Sequence, residues 1–141
     1  MSKGYGAKAS QYKNTQVLTA SKPQILLMLY EAAIRHTRSA IIAMDKKDVA
    51  AKGTAIGKVH DIVNELMNSL DFEAGGQVAK DLERLYVYMA EQLLKANMEN
   101  HRPSLESVEK ILRNLFEGWK VAVQNVAKEQ AAAPQQGENA E

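Results

Sequence analysis

Four consecutive amphipathic stretches, with apolar residues at helical spacing and short polar turns between them, constrain this chain more than any other feature. In the last stretch Leu105, Val108, Leu112, Leu115, Trp119, Ala122 and Val126 follow steps of three and four residues, which places all seven on one side of a helix. A helix with such a side must bury it against another helix. No period-two alternation is sustained anywhere, and 45% hydrophobic residues, 25% charged residues and only three prolines fit a helical domain. The expected fold is all-α.

Punctuation along the chain divides it. Residues 1–20 are rich in Gly, Ser, Lys, Gln and Asn and read as a flexible or short-helical N-terminal arm with scattered apolar residues. Ser21 is a candidate N-cap, with Gln24 three residues on and Pro23 in the first turn, where a missing N–H is tolerated. The first stripe then runs through Leu26, Leu29, Tyr30, Ala33, Ile34, Thr37, Ala40, Ile41 and Met44. Asp48 is a natural cap for the second helix, whose stripe is Ala55, Val59, Ile62, Val63, Leu66 and Leu70. A third helix is expected from Gly76 or Gln77, with Val78, Leu82, Leu85, Met89, Leu93 and Ala96 inward; Pro103 opens the fourth. The boundaries predicted are about 22–45, 48–70, 76–98 and 103–127, within a bundle spanning 21–128, and a polar tail at 129–141 is predicted to be disordered. Short connections make successive helices antiparallel, so the expected architecture is an up-down-up-down four-helix bundle.

Several classes of chemistry are not legible. Lys52-Gly53-Thr54-Ala55-Ile56-Gly57-Lys58 superficially resembles a phosphate-binding loop, but the glycines are one residue too close and neither Ser nor Thr follows Lys58. Within a helix Gly53 and Gly57 share one face, and the expectation is that they let a neighbouring helix approach closely. No inward Glu-x-x-His spacing surrounds His36, His60 or His101, so no metal or cofactor is expected, and the polar neighbours of each histidine predict a surface or boundary position. No local nucleophile and base pair is present, so the chain is expected not to be an enzyme. A net charge of +1 offers no overall attraction to nucleic acid, although Lys3, Lys8, Lys13 and Lys22 all precede the first acid, Glu31. Absent cysteine, a start without a signal-peptide pattern and the lack of a long apolar run point to the cytoplasm and to no membrane insertion.

Apolar residues remain once the inner faces are assigned: Ile25 and Met28 on the first helix, Tyr86, Tyr88 and Leu94 on the third, and Ile111, Phe116, Val121 and Val123 on the fourth. Wide stripes account for some of them, but the set as a whole predicts an exposed groove suited to an amphipathic helix from a partner. Candidate partner-binding residues are Ile25, Met28, Tyr86, Tyr88, Phe116 and Val123, with Tyr5, Tyr12, Val17 and Leu18 of the arm, which is expected to fold over the groove when no partner is bound.

Three local segments are more specific: Leu26-Leu27-Met28-Leu29-Tyr30-Glu31-Ala32-Ala33, Ser69-Leu70-Asp71-Phe72-Glu73-Ala74-Gly75-Gly76, and Leu85-Tyr86-Val87-Tyr88-Met89 followed by Leu93 and Ala96-Asn97. In order and spacing, together with Gly118-Trp119-Lys120, the chain from Tyr12 to about Val126 resembles the flagellin export chaperone family, FliS. The resemblance implies a cytoplasmic, non-enzymatic bundle that binds the C-terminal helical segment of flagellin, prevents premature polymerisation and delivers it to the type III export apparatus. It also implies docking on the export gate protein FlhA with the arm taking part, Tyr12 matching the arm tyrosine of the family pattern. Departures are Ser21-Lys22-Pro23 where the family usually has Ser/Thr-Pro, Glu91-Gln92 where Arg-Arg is common, and Val87 where Asp is frequent. The rival expectations are a helical adaptor for another cargo, consistent with Glu91-Gln92, and an enzyme or ligand-binding bundle whose polar, enclosed pocket assembles only in space.

Overall fold

A computed structural model describes residues 22–132, without the side chain of Val126. Four helices run in order: α1 (Pro23–Asp45), α2 (Val49–Asn68), α3 (Phe72–Glu99) and α4 (Arg102–Ala132), with no strand among the described residues. The fold is an all-α bundle. Each helix packs on its neighbours in the cycle α1, α2, α3, α4 and back to α1, leaving α1 opposite α3 and α2 opposite α4. Arg102 at the start of α4 grips Asp45 at the end of α1, and Arg38 meets Glu109 at 3.1 Å. Seven residues backward on one helix match seven forward on the other, so the two run antiparallel. Residues 1–21 and 133–141, including Tyr5, Tyr12, Val17 and Leu18, lie outside the described residues, and of the tail expected at 129–141 residues 129–132 instead continue α4 as helix.

Local chemistry sets the helix ends. Lys22, not Ser21, is the N-cap of α1 and makes no side-chain cap bond; the rigid Pro23 at the first turn starts the helix instead. Asp48 caps α2 as expected, its carboxylate accepting from Ala51 N–H at 3.1 Å. The start of α3 differs from expectation. Asp71 accepts from Ala74 N–H at 3.0 Å and so begins the helix at Phe72, four residues early. Gly76, at φ 55° and ψ −130°, then breaks the first turn from the rest, a conformation open to glycine and costly for other residues.

The core holds Leu26, Ala33, Ile41, Val59, Val63, Leu66, Met89, Leu93, Leu105, Val108 and Leu112, all buried. On α3 the inward face is rotated from the expected one: Ala79, Leu82, Tyr86, Met89, Leu93 and Ala96 are buried, while Val78 is exposed and Leu85 half-buried. The observed set keeps alternate steps of three and four, the spacing that holds a stripe along a packed seam. A small Ala79 and a polar-tipped Tyr86 occupy positions where larger aliphatic neighbours were the more obvious candidates.

Tyr86 is only 2% exposed and belongs to the core, which corrects its assignment to the partner-binding surface. It is there because its hydroxyl has a partner: Tyr30 of the opposite helix α1 lies 2.6 Å away, hydroxyl to hydroxyl. Burial pushes both phenolic pKa values up, so both groups stay neutral and share one proton-mediated contact. Thr37, also buried, returns its hydroxyl to the Ala33 carbonyl at 2.7 Å. Both polar intrusions are therefore satisfied inside an apolar core.

Tyr30→Phe or Tyr86→Phe alone strands one buried hydroxyl and should cost about 1–2 kcal/mol, whereas the double variant should cost less than the sum; urea unfolding of all four proteins measures the coupling. At the bundle end, Arg102 holds the Asp45 carboxyl below its ordinary range. A depressed carboxyl contributes stability that is present above the unfolded value and lost as pH falls through the folded one. Wild type and Asp45→Asn should therefore converge in thermal stability as pH falls below about 4, the ordinary carboxylate range.

Candidate partner-binding trough

An open trough of about 510 Å³ runs between α2 and α3. Gly53, Ile56, Gly57, His60, Asp61 and Met67 line it from α2, and Val87, Ala90, Glu91, Leu93, Leu94 and Asn97 from α3. From Gly53 to Met67 the α2 wall extends roughly 21 Å at about 1.5 Å per residue, the length of about four helical turns. Leu93 and Ile56 are buried in its floor, whereas Leu94 is 59% exposed and Val87 also stands open. Met98, 73% exposed, continues the α3 rim one turn beyond Leu94.

Two glycines make the depression. A Cβ added at Gly53 or at Gly57 would meet no atom within 4 Å, so neither admits a close neighbour, and the expectation of tight helix packing there is corrected. Their missing side chains instead lower one wall by a side chain's depth over one turn. Next to the Gly53 end of the trough, the buried Lys52 donates its ammonium to the Asn97 carbonyl at 3.0 Å and to Asn100 Oδ1 at 2.5 Å. Asn100 accepts this bond from a left-handed C-cap position, at φ 52°, that Asn tolerates well. Those two bonds tie the start of α2 to the end of α3.

The candidate residues named from sequence are dispersed. Ile25 and Met28 are exposed on α1, Met28 by 65%. Tyr88 faces the other seam of α3, where its hydroxyl is 3.5 Å from Ser107 Oγ of α4. Phe116 is half-buried against the core under the Lys120 ammonium, 5.1 Å from the ring centre, and Val123 is half-buried further along α4. None of these five is among the described residues that line the trough. The signals that could have found it were the paired glycines and the surplus Leu94, which appear together only once α2 and α3 are set side by side.

A second concavity, at the end where the α1–α2 and α3–α4 turns meet, is lined by Asp45, Lys47, Asp48, Lys52 and Arg102 among others. Its polar groups are largely committed: Asp45 to Arg102, Asp48 to the α2 cap, Lys52 to Asn97 and Asn100. Among the described residues no cluster of His, Asp and Glu is arranged to hold a metal ion, and no helix is long and apolar enough to cross a membrane. His36, His60 and His101 are each half-buried; burial, then Lys58 and Arg35, push the His36 pKa down.

A family model described as flagellar protein FliS matches residues 5–126. The chain belongs to the FliS family. It is 38% identical over 118 residues to the flagellar secretion chaperone FliS of Salmonella typhimurium, covering 83% of this chain and 87% of that one. The Vibrio cholerae flagellar secretion chaperone FliS is 34% identical over 106 residues, covering 75% and 78% of the two chains. The flagellar secretion chaperone FliSB of Pseudomonas aeruginosa is 33% identical over 120 residues, covering 82% and 95%. The α2–α3 trough thus lies on the bundle of a flagellar chaperone family.

Because nothing packs on Gly53 or Gly57, alanine at each should stabilise α2 by about 1 kcal/mol through helix propensity alone. Thermal unfolding of Gly53→Ala and Gly57→Ala checks this; destabilisation would mean a close contact at those positions after all.

Proposed function

We propose that this FliS-family protein is an export chaperone that sequesters the C-terminal helical segment of flagellin in the α2–α3 trough. By covering that segment it keeps flagellin from polymerising before export and presents it to the flagellar type III apparatus at the gate protein FlhA. The observation that carries the reading is an apolar depression of helix length, open to solvent and floored by Ile56 and Leu93, on a bundle whose own stripes are already buried. A partner helix with apolar residues at i, i+3, i+4 and i+7 would cover Val87, Leu94 and Met98 and remove them from water. The chaperone makes no covalent change; it acts by competing with self-association of the cargo, so its effect is set by relative affinity and concentration. In this reading it works in the cytoplasm, without a cofactor or nucleic acid. Tyr5, Tyr12, Val17 and Leu18 of the arm serve gate docking and cover the cargo surface in the free state, and Ile25, Met28, Tyr88, Phe116 and Val123 extend contact with a cargo that wraps beyond the trough.

Co-expression with flagellin of the same organism, followed by size exclusion, tests the reading. A stoichiometric complex is expected with full-length flagellin and none with flagellin lacking its C-terminal segment. Gly57→Leu, which places a side chain in the trough on an exposed helix face, should retain helicity and weaken capture at least about tenfold, equivalent to about 1.4 kcal/mol. Undiminished capture by a folded Gly57→Leu protein would move the site elsewhere on the bundle.

A further inference from the structure

The trough is apolar along its floor but not electrically neutral. Asp61 on the α2 wall and Glu91 on the α3 wall both line it near the middle of its length. Both carboxylates are exposed, and among the described residues neither takes part in an ion pair. The described lining contains no lysine or arginine. Lys58 and Lys95 lie one turn away from these acids on their own helices, and neither is paired to them. The His60 ring, also on the α2 wall, is engaged through Nδ1 with Asn64 Nδ2 at 3.2 Å.

An occupant that seats on Ile56 and Leu93 displaces water from between the two walls. Two like charges then lose part of their hydration and face each other across a lower dielectric, a cost that a neutral or acidic occupant cannot offset. A cation on the occupant at that level offsets it, with each carboxylate able to accept charge-assisted hydrogen bonds. We infer that the trough selects an amphipathic helix of about four turns that carries a lysine or arginine near its midpoint, flanked by apolar residues on the same face. The inference rests on the reading of the trough as the seat of a cargo helix, and it adds the charge that the cargo must present. Asp61 and Glu91 are specificity-determining residues for that cargo, while Ile56, Leu93, Leu94 and Met67 supply apolar contact that any such helix could use.

The test uses the full chain and two synthetic four-turn amphipathic peptides identical except for lysine or glutamate at the central apolar-face position, alongside the C-terminal segment of flagellin. Isothermal titration should give the lysine peptide at least about fivefold tighter binding than the glutamate peptide, a preference that shrinks with added salt. In Asp61→Asn/Glu91→Gln the preference should disappear while the glutamate peptide binds as well as before or better; circular dichroism confirms that these exposed substitutions leave the bundle folded. Equal affinity of wild type for the two peptides, a preference that survives neutralisation, or failure of both peptides to bind each overturns the inference. If flagellin's segment binds without any such preference, the inference falls and the chaperone reading stands. If the lysine preference holds but flagellin's segment does not bind, the trough's selectivity stands and the assignment of flagellin as cargo falls.

Discussion

Each of the four helices carries one apolar stripe, and the whole structure follows from the requirement that all four be removed from water at once. A closed ring of helices satisfies it, with Leu26, Val59, Met89 and Leu112, one from each helix, buried in a single core. Because burial is non-directional, the stripes alone would tolerate a rotated or slipped helix. The Tyr30–Tyr86 hydroxyl pair removes that tolerance between the opposite helices α1 and α3, since a slip by one turn would leave two buried hydroxyls without partners. Lys52 does the same between α2 and α3, where its ammonium has two oxygen acceptors only in the observed register.

That fixed register gives the trough its shape. Were α2 free to roll, Ile56 and the glycine face could turn toward α3 and close the seam. With Lys52 anchored at one end and Val59, Val63 and Leu66 committed to the core, Gly53 and Gly57 are held outward as a notch. Among the described residues the depression is open as it stands, so in the proposed role a partner helix need not pry the bundle apart. The cost lies in the chaperone itself: Val87, Leu94 and Met98 remain wet, and two helix glycines weaken α2.

Much of the architecture was legible in the sequence because it depends on local, periodic information. Asp48 as a cap, Pro23 as a first-turn residue and the stripes of α1, α2 and α4 follow from residue type and spacing. The misassignments on α3 also have local causes. Asp71 is as good a cap as Asp48, but the run Gly75-Gly76 drew the expected start downstream, and bulk drew the inward face toward Val78 and Leu85 in place of Ala79 and Tyr86.

The sequence by itself determined that the chain makes four amphipathic helices in a bundle, and its local segments placed it with the FliS family, since helix period, caps and motif order are properties of neighbours along the chain. Only the tertiary structure decided that Tyr86 is core and that Leu94 and Glu91 face Gly57 and Asp61 across one trough. The physical reason is that a lone helix has a face but no groove. A groove is a relation between two helices, and its depth here comes from side chains that are missing, which no count of apolar residues along one helix could register.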